Sequence, residues 1–492
     1  MKRKLGVMTA TLVMASAMAA SIGLSGCGVK IHEFDMPEGG YDGSKVEIMF
    51  YNTMGQNLRG VLDGAIERFS VLYPNITVKY DASSGDYNTL RDKLSTEIQT
   101  GVQPNLAFCY PDHVALYNDS TVVLPLDGFL PDGEYKDMKV TNSKGEEPLG
   151  LTKEQVDDYI PAYFKEGSVF GDGKTYTLPF AKSTEVMYYN KTFFKDNADK
   201  FGWDFSGMTD EEISVELDNK LDGRTWDEIF EICAKIKSFK DCTPLGIDSE
   251  SNLFITLCEQ SGTPYTSATG DHYLFNTAEN KAFVQKFVDW YQPPAGYFTT
   301  ETINKAYTSN LFKEQKTYLS IGSSAGAQYQ VPKVTDGQAP FEVGIVSIPQ
   351  VNPEAPKSIS QGPSICIFKQ ENPQEVLASW LFAKFITTDL QFQATYSMTS
   401  GYVPVIQSVF ENSVYMNHLA KANGAEDGIT ALSAKVCKKL VDEEAFYVSP
   451  AFLGSSKARD EVGILMVAAI TKAKTLDKAF SDAIYECKYF VG

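Results

Sequence analysis

The sequence predicts an α/β fold built on parallel sheets, and three observations carry this prediction. Strand-like apolar runs occur at Val46–Tyr51, Ile76–Tyr80 and Pro104–Tyr110. Between them, residues 58–72 and Tyr87–Thr100 repeat apolar side chains at helical spacing. The connections are short, as expected for βαβ units on a parallel sheet. Ligands of such sheets gather at the carboxyl ends of the strands, so we expect a binding site there.

The same alternation returns later in the chain. Thr225 and Glu228 have the capping-box spacing and predict a helix that runs through Ile236. Asn372 and Pro373 predict a second helix start, and we interpret the apolar stripe that follows as core rather than as a cofactor site. The chain has 492 residues, 43% of them hydrophobic. This length is too great for one core and predicts two or three folded domains.

The first 26 residues have the pattern of a secretory signal peptide. Residues 2–4 are all basic, and Leu5–Leu24 is an uncharged, largely apolar stretch. The stretch approaches the ~20 residues that span a bilayer. Glycine and serine interrupt it, however, so we favour a signal peptide over a transmembrane helix. The Leu-Ser-Gly-Cys sequence that ends at Cys27 resembles the bacterial lipobox, which implies a diacylglycerol on that cysteine and a flexible lipidated tether over 27–44.

Charge and cysteine content exclude several classes of function. The chain carries 63 acidic and 44 basic residues, and this net charge of −19 argues against nucleic acid or an anionic membrane surface as a partner. The four histidines are scattered without ligand spacing, so neither a metal site nor a cofactor is predicted. Seven cysteines follow Cys27, none of them in a C-x-x-C pair. A disulfide among Cys233, Cys242 and Cys258 stays open, while buried free thiols are favoured for most of the seven.

Nine short segments, in order along the chain, carry a family resemblance. They are VEIMFYNTM, SSGDYNTL, PFAKSTEVMYYNKTFF, TWDEIFEICAKIK, LFKEQKTYLSIGSSAG, VGIVSIP, SQGPSICIF, SMTSGYVPV and LGSSKARDEV. Together they resemble the extracellular solute-binding proteins of carbohydrate ABC transporters. The resemblance implies a monomeric importer component, not an enzyme, that delivers its solute to membrane permease subunits. It also implies a two-lobed, type II periplasmic-binding-protein-like α/β fold, in which each lobe is a βα sheet sandwich and the ligand lies in the interlobe cleft.

The resemblance implies an order of domains along the chain. After the signal peptide (1–26) and the tether (27–44), residues 45–160 are expected mainly in the N-terminal lobe and 161–320 mainly in the C-terminal lobe. Residues 321–390 are expected to form crossing segments that partly return to the N-terminal lobe. Residues 391–492 are expected to form a C-terminal helical part that closes the cleft.

Within the family, the chain is most similar to the branch that binds sn-glycerol 3-phosphate, and this likeness implies a set of ligand contacts. The matching positions are Tyr87, Asp112, Ser183, Ser323, Ser324, Gly362, Tyr402 and Arg459. A phosphate favours the bidentate guanidinium of an arginine together with hydroxyl donors. Sugar or glycerol hydroxyls favour carboxylate acceptors and aromatic faces, and a glycine lets the backbone approach a ligand closely. Whether the ligand is a neutral sugar or a glycerol phosphate stays open.

These residue types also have structural interpretations. Arg459 has the alternative of a surface or interhelical ion pair, and Ser323 and Ser324 have that of capping a helix that begins near Ala325. Lys182 either assists an anion or is a solvated surface residue. The alternative function is a secreted glycosidase or phosphodiesterase-type hydrolase with paired carboxylates. Against it, the sequence contains neither an H-E-x-x-H nor a P-loop motif.

Overall fold

The computed structural model describes residues 32–292, 296–335 and 339–489. The strands are β1 (Val46–Tyr51), β2 (Ile76–Asp81), β3 (Leu106–Cys109), β4 (Lys139–Asn142), β5 (Gly145–Pro148), β6 (Leu178–Pro179), β7 (Glu185–Asn190), β8 (Leu245–Ile247), β9 (Tyr297–Thr299), β10 (Leu319–Ser323), β11 (Val343–Ser347), β12 (Ser358–Ile359), β13 (Ser364–Ile367) and β14 (Phe446–Tyr447). The helices are α1 (Gln56–Leu72), α2 (Tyr87–Thr100), α3 (Pro111–Tyr117), α4 (Lys153–Asp158), α5 (Pro161–Lys165), α6 (Lys191–Asp196), α7 (Ala198–Phe201), α8 (Asp210–Leu221), α9 (Trp226–Phe239), α10 (Glu250–Ser261), α11 (Ala278–Tyr291), α12 (Thr308–Lys313), α13 (Ala327–Gln330), α14 (Pro373–Thr388), α15 (Leu390–Ser400), α16 (Ser408–Glu411), α17 (Ser413–Leu419), α18 (Ile429–Asp442), α19 (Ser455–Ile470) and α20 (Leu476–Lys488).

Local signals place several helix ends where the sequence predicts them. Asp86 caps α2, accepting a hydrogen bond from the Thr89 backbone N–H at 2.8 Å, and Gly101 ends the helix in the left-handed conformation. Thr225 forms the predicted capping box at the start of α9, which continues beyond Ile236 to Phe239. The apolar stripe of α14 is buried in the core, as predicted.

The first lobe is built on a five-stranded sheet of order β2-β1-β3-β13-β6. β1 runs parallel to β2 and β3, so the predicted βαβ units are confirmed. β13 comes from much later in the chain and pairs antiparallel with both β3 and β6. The first lobe is therefore assembled from discontinuous segments.

The second lobe is built on a five-stranded sheet of order β11-β7-β10-β8-β9. β7 pairs antiparallel with β10 and β11, whereas β8 runs parallel to β10 and β9. Each sheet has its own core of buried side chains. The chain therefore forms two separately packed α/β lobes.

The chain crosses between the lobes later than the sequence analysis placed the first boundary. Tyr163, Leu178 and Ala181 are all buried in the core of the first lobe, and Met187 is buried in that of the second. The first crossing therefore lies within 182–186 rather than near residue 160. A second crossing leads from β12 to β13, and β12 pairs in parallel with β14 beside it.

The C-terminal residues divide between the lobes, which differs from the single helical part expected over 391–492. Buried residues of α15 pack in the core of the first lobe, and buried residues of α19 and α20 pack in that of the second. Their apolar faces therefore complete two different cores. Only α19 of these three lines the interlobe cleft.

The segment that was expected to be a flexible tether packs against the first lobe from residue 34 onward. Phe34 lies 6.3 Å from Phe129 between ring centroids. Gln374 donates its side-chain N–H to the Gly40 carbonyl at 3.1 Å, and Tyr41 is buried. Aromatic side chains in this segment therefore anchor it. Cys27 and the signal peptide lie outside the described residues.

Three further features bear on the classes of function considered. Among the described residues, no helix is both long and apolar enough to cross a membrane. In the same ranges, His, Cys, Asp and Glu side chains form no group of three or more that could hold a metal ion. The seven described cysteines, including Cys233, Cys242 and Cys258, are free thiols, and all except Cys242 are buried.

Candidate ligand-binding cleft

A polar cleft of about 630 Å³ lies between the two lobes. The first lobe contributes α2 and the turn from β3 to α3, and the second contributes α10, α19 and the turn after β8. Segments 359–361 and 448–450 complete its wall. A larger depression of about 940 Å³ around Asp127 and Phe164 lies on one lobe only. We select the cleft as the candidate site because it lies at strand carboxyl ends and both lobes line it.

The wall from the first lobe presents two stacked tyrosines and two charged groups. Tyr87 begins α2 and Tyr110 follows β3, with their ring centroids 4.8 Å apart. Arg91 lies one turn after Tyr87 on the same helix face, and Asp112 lies in the first turn of α3. Burial raises the pKa of both tyrosines well above 10, so their hydroxyls stay neutral and can donate to a ligand.

The wall from the second lobe presents an arginine whose guanidinium is held by a hydrogen bond to a neighbouring side chain. The Arg459 guanidinium donates a hydrogen bond to the side-chain oxygen of Asn252. The Asn252 amide nitrogen in turn donates to Glu185 Oε1 at 3.0 Å. Burial raises the pKa of the Glu185 carboxyl to about 7, although Asn252 and Arg459 oppose the shift. Arg459 is thus preorganised at the cleft surface, and in the part of the chain that the structure describes it forms no salt bridge with a carboxylate.

A side-chain hydrogen bond joins the two walls directly. Arg91 Nη1 of the first lobe donates to Ser456 Oγ of α19 at 2.9 Å. His113, on the same side of the cleft as Arg91, has its pKa lowered to about 4 by burial. It is therefore neutral near pH 7 and supplies no positive charge. Among the described residues that line the cleft, the two cationic side chains at this pH are Arg91 and Arg459.

A buried ion pair lies beneath the cleft, where the chain crosses between lobes. Lys182 Nζ lies 2.7 Å from Glu166 Oε1, and both side chains are at most 2% exposed. Lys182 also donates to Ser364 Oγ at 2.9 Å, and Ser360 donates to Glu166 Oε2 at 2.8 Å. Both interpretations of Lys182 from the sequence are therefore wrong, because its amine is buried and bonded to Glu166 and Ser364. Glu166 also lines the cleft.

Three of the eight predicted ligand residues line the cleft, namely Tyr87, Asp112 and Arg459. Tyr402 lies beside them, with its hydroxyl oxygen 3.3 Å from that of Tyr87. The structure therefore brings four predicted positions together. The other four are placed by hydrogen bonds and packing in and around the first crossing segment.

Each of the three serines forms hydrogen bonds within the protein. Ser183 is buried and exchanges two backbone hydrogen bonds of 2.9 Å with Gln361. Ser324 is fully buried, and its Oγ accepts from the Thr184 N–H at 3.1 Å. Ser323 Oγ accepts from the Ala325 N–H, as the capping alternative predicts, but it caps a three-residue 3₁₀ turn.

Gly362 is required by the crossing segment and does not line the cleft. Its φ of +92° lies in the region that favours glycine. A Cβ atom at this position would lie 2.4 Å from the Ala181 carbonyl oxygen. The expected close approach is therefore made by the protein's own backbone and not by a ligand.

Several cleft residues were missed by the sequence analysis. Arg91 and Tyr110 had a usable signal, because one follows Tyr87 by four residues on a predicted helix and the other ends a predicted strand. Asn252 and Tyr265 had none, because their segments carry no motif and reach the cleft only through packing of the second lobe.

Two α/β lobes with a polar cleft between them define a solute-binding architecture. Residues 64–423 match the profile of a family described as bacterial extracellular solute-binding protein. The match covers well over half of the chain, so the protein belongs to this family. Its extracellular class means that the protein is exported.

Two relatives are similar to this chain in sequence. A binding protein of Brucella abortus (strain 2308) is 22% identical over 359 residues, which cover 71% of this chain and 74% of the relative. The sn-glycerol-3-phosphate-binding periplasmic protein UgpB of Rhizobium meliloti (strain 1021) is 23% identical over 296 residues, which cover 56% of this chain and 60% of the relative.

Solved structures confirm the predicted two-lobed fold class. UgpB from Mycobacterium tuberculosis, in complex with glycerophosphocholine, superposes with a TM-score of 0.67 and 15% identity, covering 90% of this chain and 98% of that one. Maltose-bound MalE3 from T. maritima gives 0.64 and 16% identity, covering 90% and 100%. At these identities the likeness establishes the fold alone.

Proposed function

We propose that the protein is the membrane-anchored substrate-binding component of an ABC importer, and that it captures a polyol carrying a phosphate group. The observation that carries the proposal is Arg459, which Asn252 holds at the cleft surface and which forms no salt bridge with a carboxylate among the described residues. A guanidinium in this state can form two hydrogen bonds to phosphate oxygens. Across the cleft, Tyr87, Tyr110 and Asp112 offer an aromatic face and acceptors for hydroxyl groups.

Capture would be coupled to lobe closure. The hydrogen bond from Arg91 to Ser456 joins the lobes at the rim of the cleft. A ligand that contacts both walls adds to this contact only when the lobes are closed, and it shifts the population toward the closed form. The closed form would then be the one recognised by the permease.

A neutral sugar is the second candidate ligand. The stacked pair of Tyr87 and Tyr110 favours it, because aromatic faces pack against sugar rings while their hydroxyls hydrogen-bond. Glycerophosphocholine and maltose, bound by two structural neighbours, represent the two ligand classes.

A thermal-shift screen of the protein against glycerol 3-phosphate, glycerophosphodiesters and neutral sugars separates these candidates. A ligand at about 100 times its Kd stabilises the folded state by roughly 2.7 kcal/mol, so a true ligand raises the unfolding temperature. We expect phosphate-bearing polyols to do so. A shift with neutral sugars alone would contradict the phosphate part of the proposal, and formation of a product would indicate a hydrolase.

The hydrolase alternative has one sequence feature in its favour. Residues 322–326 read Gly-Ser-Ser-Ala-Gly, which has the G-x-S-x-G spacing of a nucleophile elbow. Ser324, at the nucleophile position, is fully buried, and its Oγ accepts a hydrogen bond from the Thr184 N–H. A nucleophile must reach its substrate, so this arrangement does not favour catalysis.

The membrane anchor is a separate part of the proposal and rests on the sequence around Cys27. We expect Cys27→Ala to abolish incorporation of radiolabelled palmitate and to release the protein from the membrane fraction. Cys242→Ala is the matched control, because Cys242 is partly exposed and lies far outside the lipobox. Palmitate incorporation that persists in Cys27→Ala would contradict the anchor.

A further inference from the structure

Glu185 is a buried acid that is connected to the binding cleft through a single side chain, that of Asn252. It is the first residue of β7 and is 4% exposed, and Asn252, at the start of α10, is 6% exposed. The Asn252 side chain bridges the Glu185 carboxylate and the Arg459 guanidinium with one hydrogen bond to each. The acid accepts from the amide nitrogen, and the amide oxygen accepts from the arginine. The orientation of the amide, and with it the position of Arg459, therefore depends on Glu185.

Few charges face Glu185 from the neighbouring elements. Arg459 on α19 favours its ionised form, whereas Asp248, which follows β8, and Tyr447 on β14 are the other titratable groups nearby. Its carboxylate forms no salt bridge within the described residues. Arg459 is thus the principal positive charge that stabilises an ionised Glu185. A ligand anion would compete for the same guanidinium.

We propose that Glu185 is the positioning residue for Arg459, and that capture of an anionic ligand moves a proton from solvent onto the Glu185 carboxylate. The proposal rests on the proposed function, because a neutral ligand would not compete for the arginine's charge. The proton comes from the buffer and is returned to it when the ligand leaves. Affinity for an anionic ligand would therefore depend on external pH through a residue that never touches the ligand.

The direction of the pH dependence follows from linkage. The pKa of Glu185 is about 7 in the ligand-free protein. A ligand anion at Arg459 disfavours the ionised form and raises this pKa further, so binding takes up protons and affinity increases as pH falls. If the bound ligand raises the pKa of Glu185 by one unit, the affinity is expected to fall about tenfold between pH 6 and pH 9.

Calorimetry with glycerophosphoglycerol, a phosphodiester of net charge −1, and with maltose tests the proposal, since neither probe titrates near pH 7. For the wild type we expect proton uptake with glycerophosphoglycerol, measured in buffers of different ionisation enthalpy, and affinity that falls as pH rises. Glu185→Gln keeps an acceptor for Asn252 and is expected to bind with no proton uptake and a flat pH profile. Glu231→Gln, at an exposed position on α9, is the control and is expected to retain the wild-type profile.

Equal pH profiles in the wild type and Glu185→Gln would overturn the proposal. If neither probe binds, the proposed ligand class fails, and the coupling is tested without ligand. Because the folded pKa of Glu185 is raised from 4.5 to about 7, the wild type loses stability relative to Glu185→Gln as pH rises from about 4.5 to about 7, and the loss is complete above that pH. Arg459→Gln removes the favourable charge and should extend this loss to higher pH. The absence of this extension would show that the two residues are not coupled and would equally overturn the proposal.

Discussion

Replacing Lys182 with methionine is expected to destabilise the folded protein by about 3–5 kcal/mol, because it leaves a buried carboxylate without its partner. Lys182 is fully buried, and its Nζ lies 2.7 Å from Glu166 Oε1. Methionine matches the length and apolar volume of the lysine stem, so the expected loss reflects the charge and not a cavity. The free energy of unfolding, measured by urea denaturation, reports the effect.

A double-mutant cycle isolates the ion pair. Lys182→Met combined with Glu166→Leu removes both charges, and we expect the double variant to be more stable than Lys182→Met alone. Lys153→Met is the control, since Lys153 forms an exposed pair with Asp157 and should leave the free energy of unfolding close to that of the wild type. Equal losses in Lys182→Met and Lys153→Met would contradict the interpretation that the buried pair stabilises the crossing segment.

The elements that the sequence predicts well are those whose signals are local. α2 has the predicted bounds because Asp86 and Gly101 specify both ends within the helix's own segment. The pairing of β13 with β3 and β6 could not be predicted from periodicity, because the partners are separated by more than 180 residues. The first crossing was misplaced for the same reason: whether Tyr163 packs in one lobe or the other depends on tertiary contacts.

The residues of the candidate site divide in the same way, into those with a local sequence signal and those whose role depends on distant partners. Tyr87, Asp112 and Arg459 were found because short motifs identify them, and they line the cleft. Glu185 and Lys182 stand three residues apart in one such motif, yet their roles depend on partners in other parts of the chain. Burial of an acid or a lysine next to a cleft is a property of the assembled lobes and has no signature in a single sequence.

Arg459→Ala is expected to weaken binding of a phosphate-bearing ligand by roughly 30- to 100-fold, which corresponds to the loss of about 2–3 kcal/mol from charge-assisted hydrogen bonds. Arg459 is one of two cationic side chains that line the cleft, and no carboxylate within the described residues forms a salt bridge with it. Its hydrogen-bonding capacity is therefore available to a ligand. Isothermal titration calorimetry with glycerophosphocholine measures the effect directly.

Two further variants make this result specific. Arg459→Lys keeps the charge but loses the planar fork, so we expect an intermediate affinity if the ligand is held in a bidentate manner. Arg224→Ala removes a half-exposed arginine that pairs with Glu228 outside the cleft, and it should bind like the wild type. An unchanged affinity in Arg459→Ala would mean that Arg91 alone supplies the anion contact or that the ligand is neutral. Maltose binding that survives in Arg459→Ala would decide for the neutral ligand, because stacking on Tyr87 and Tyr110 needs no cation.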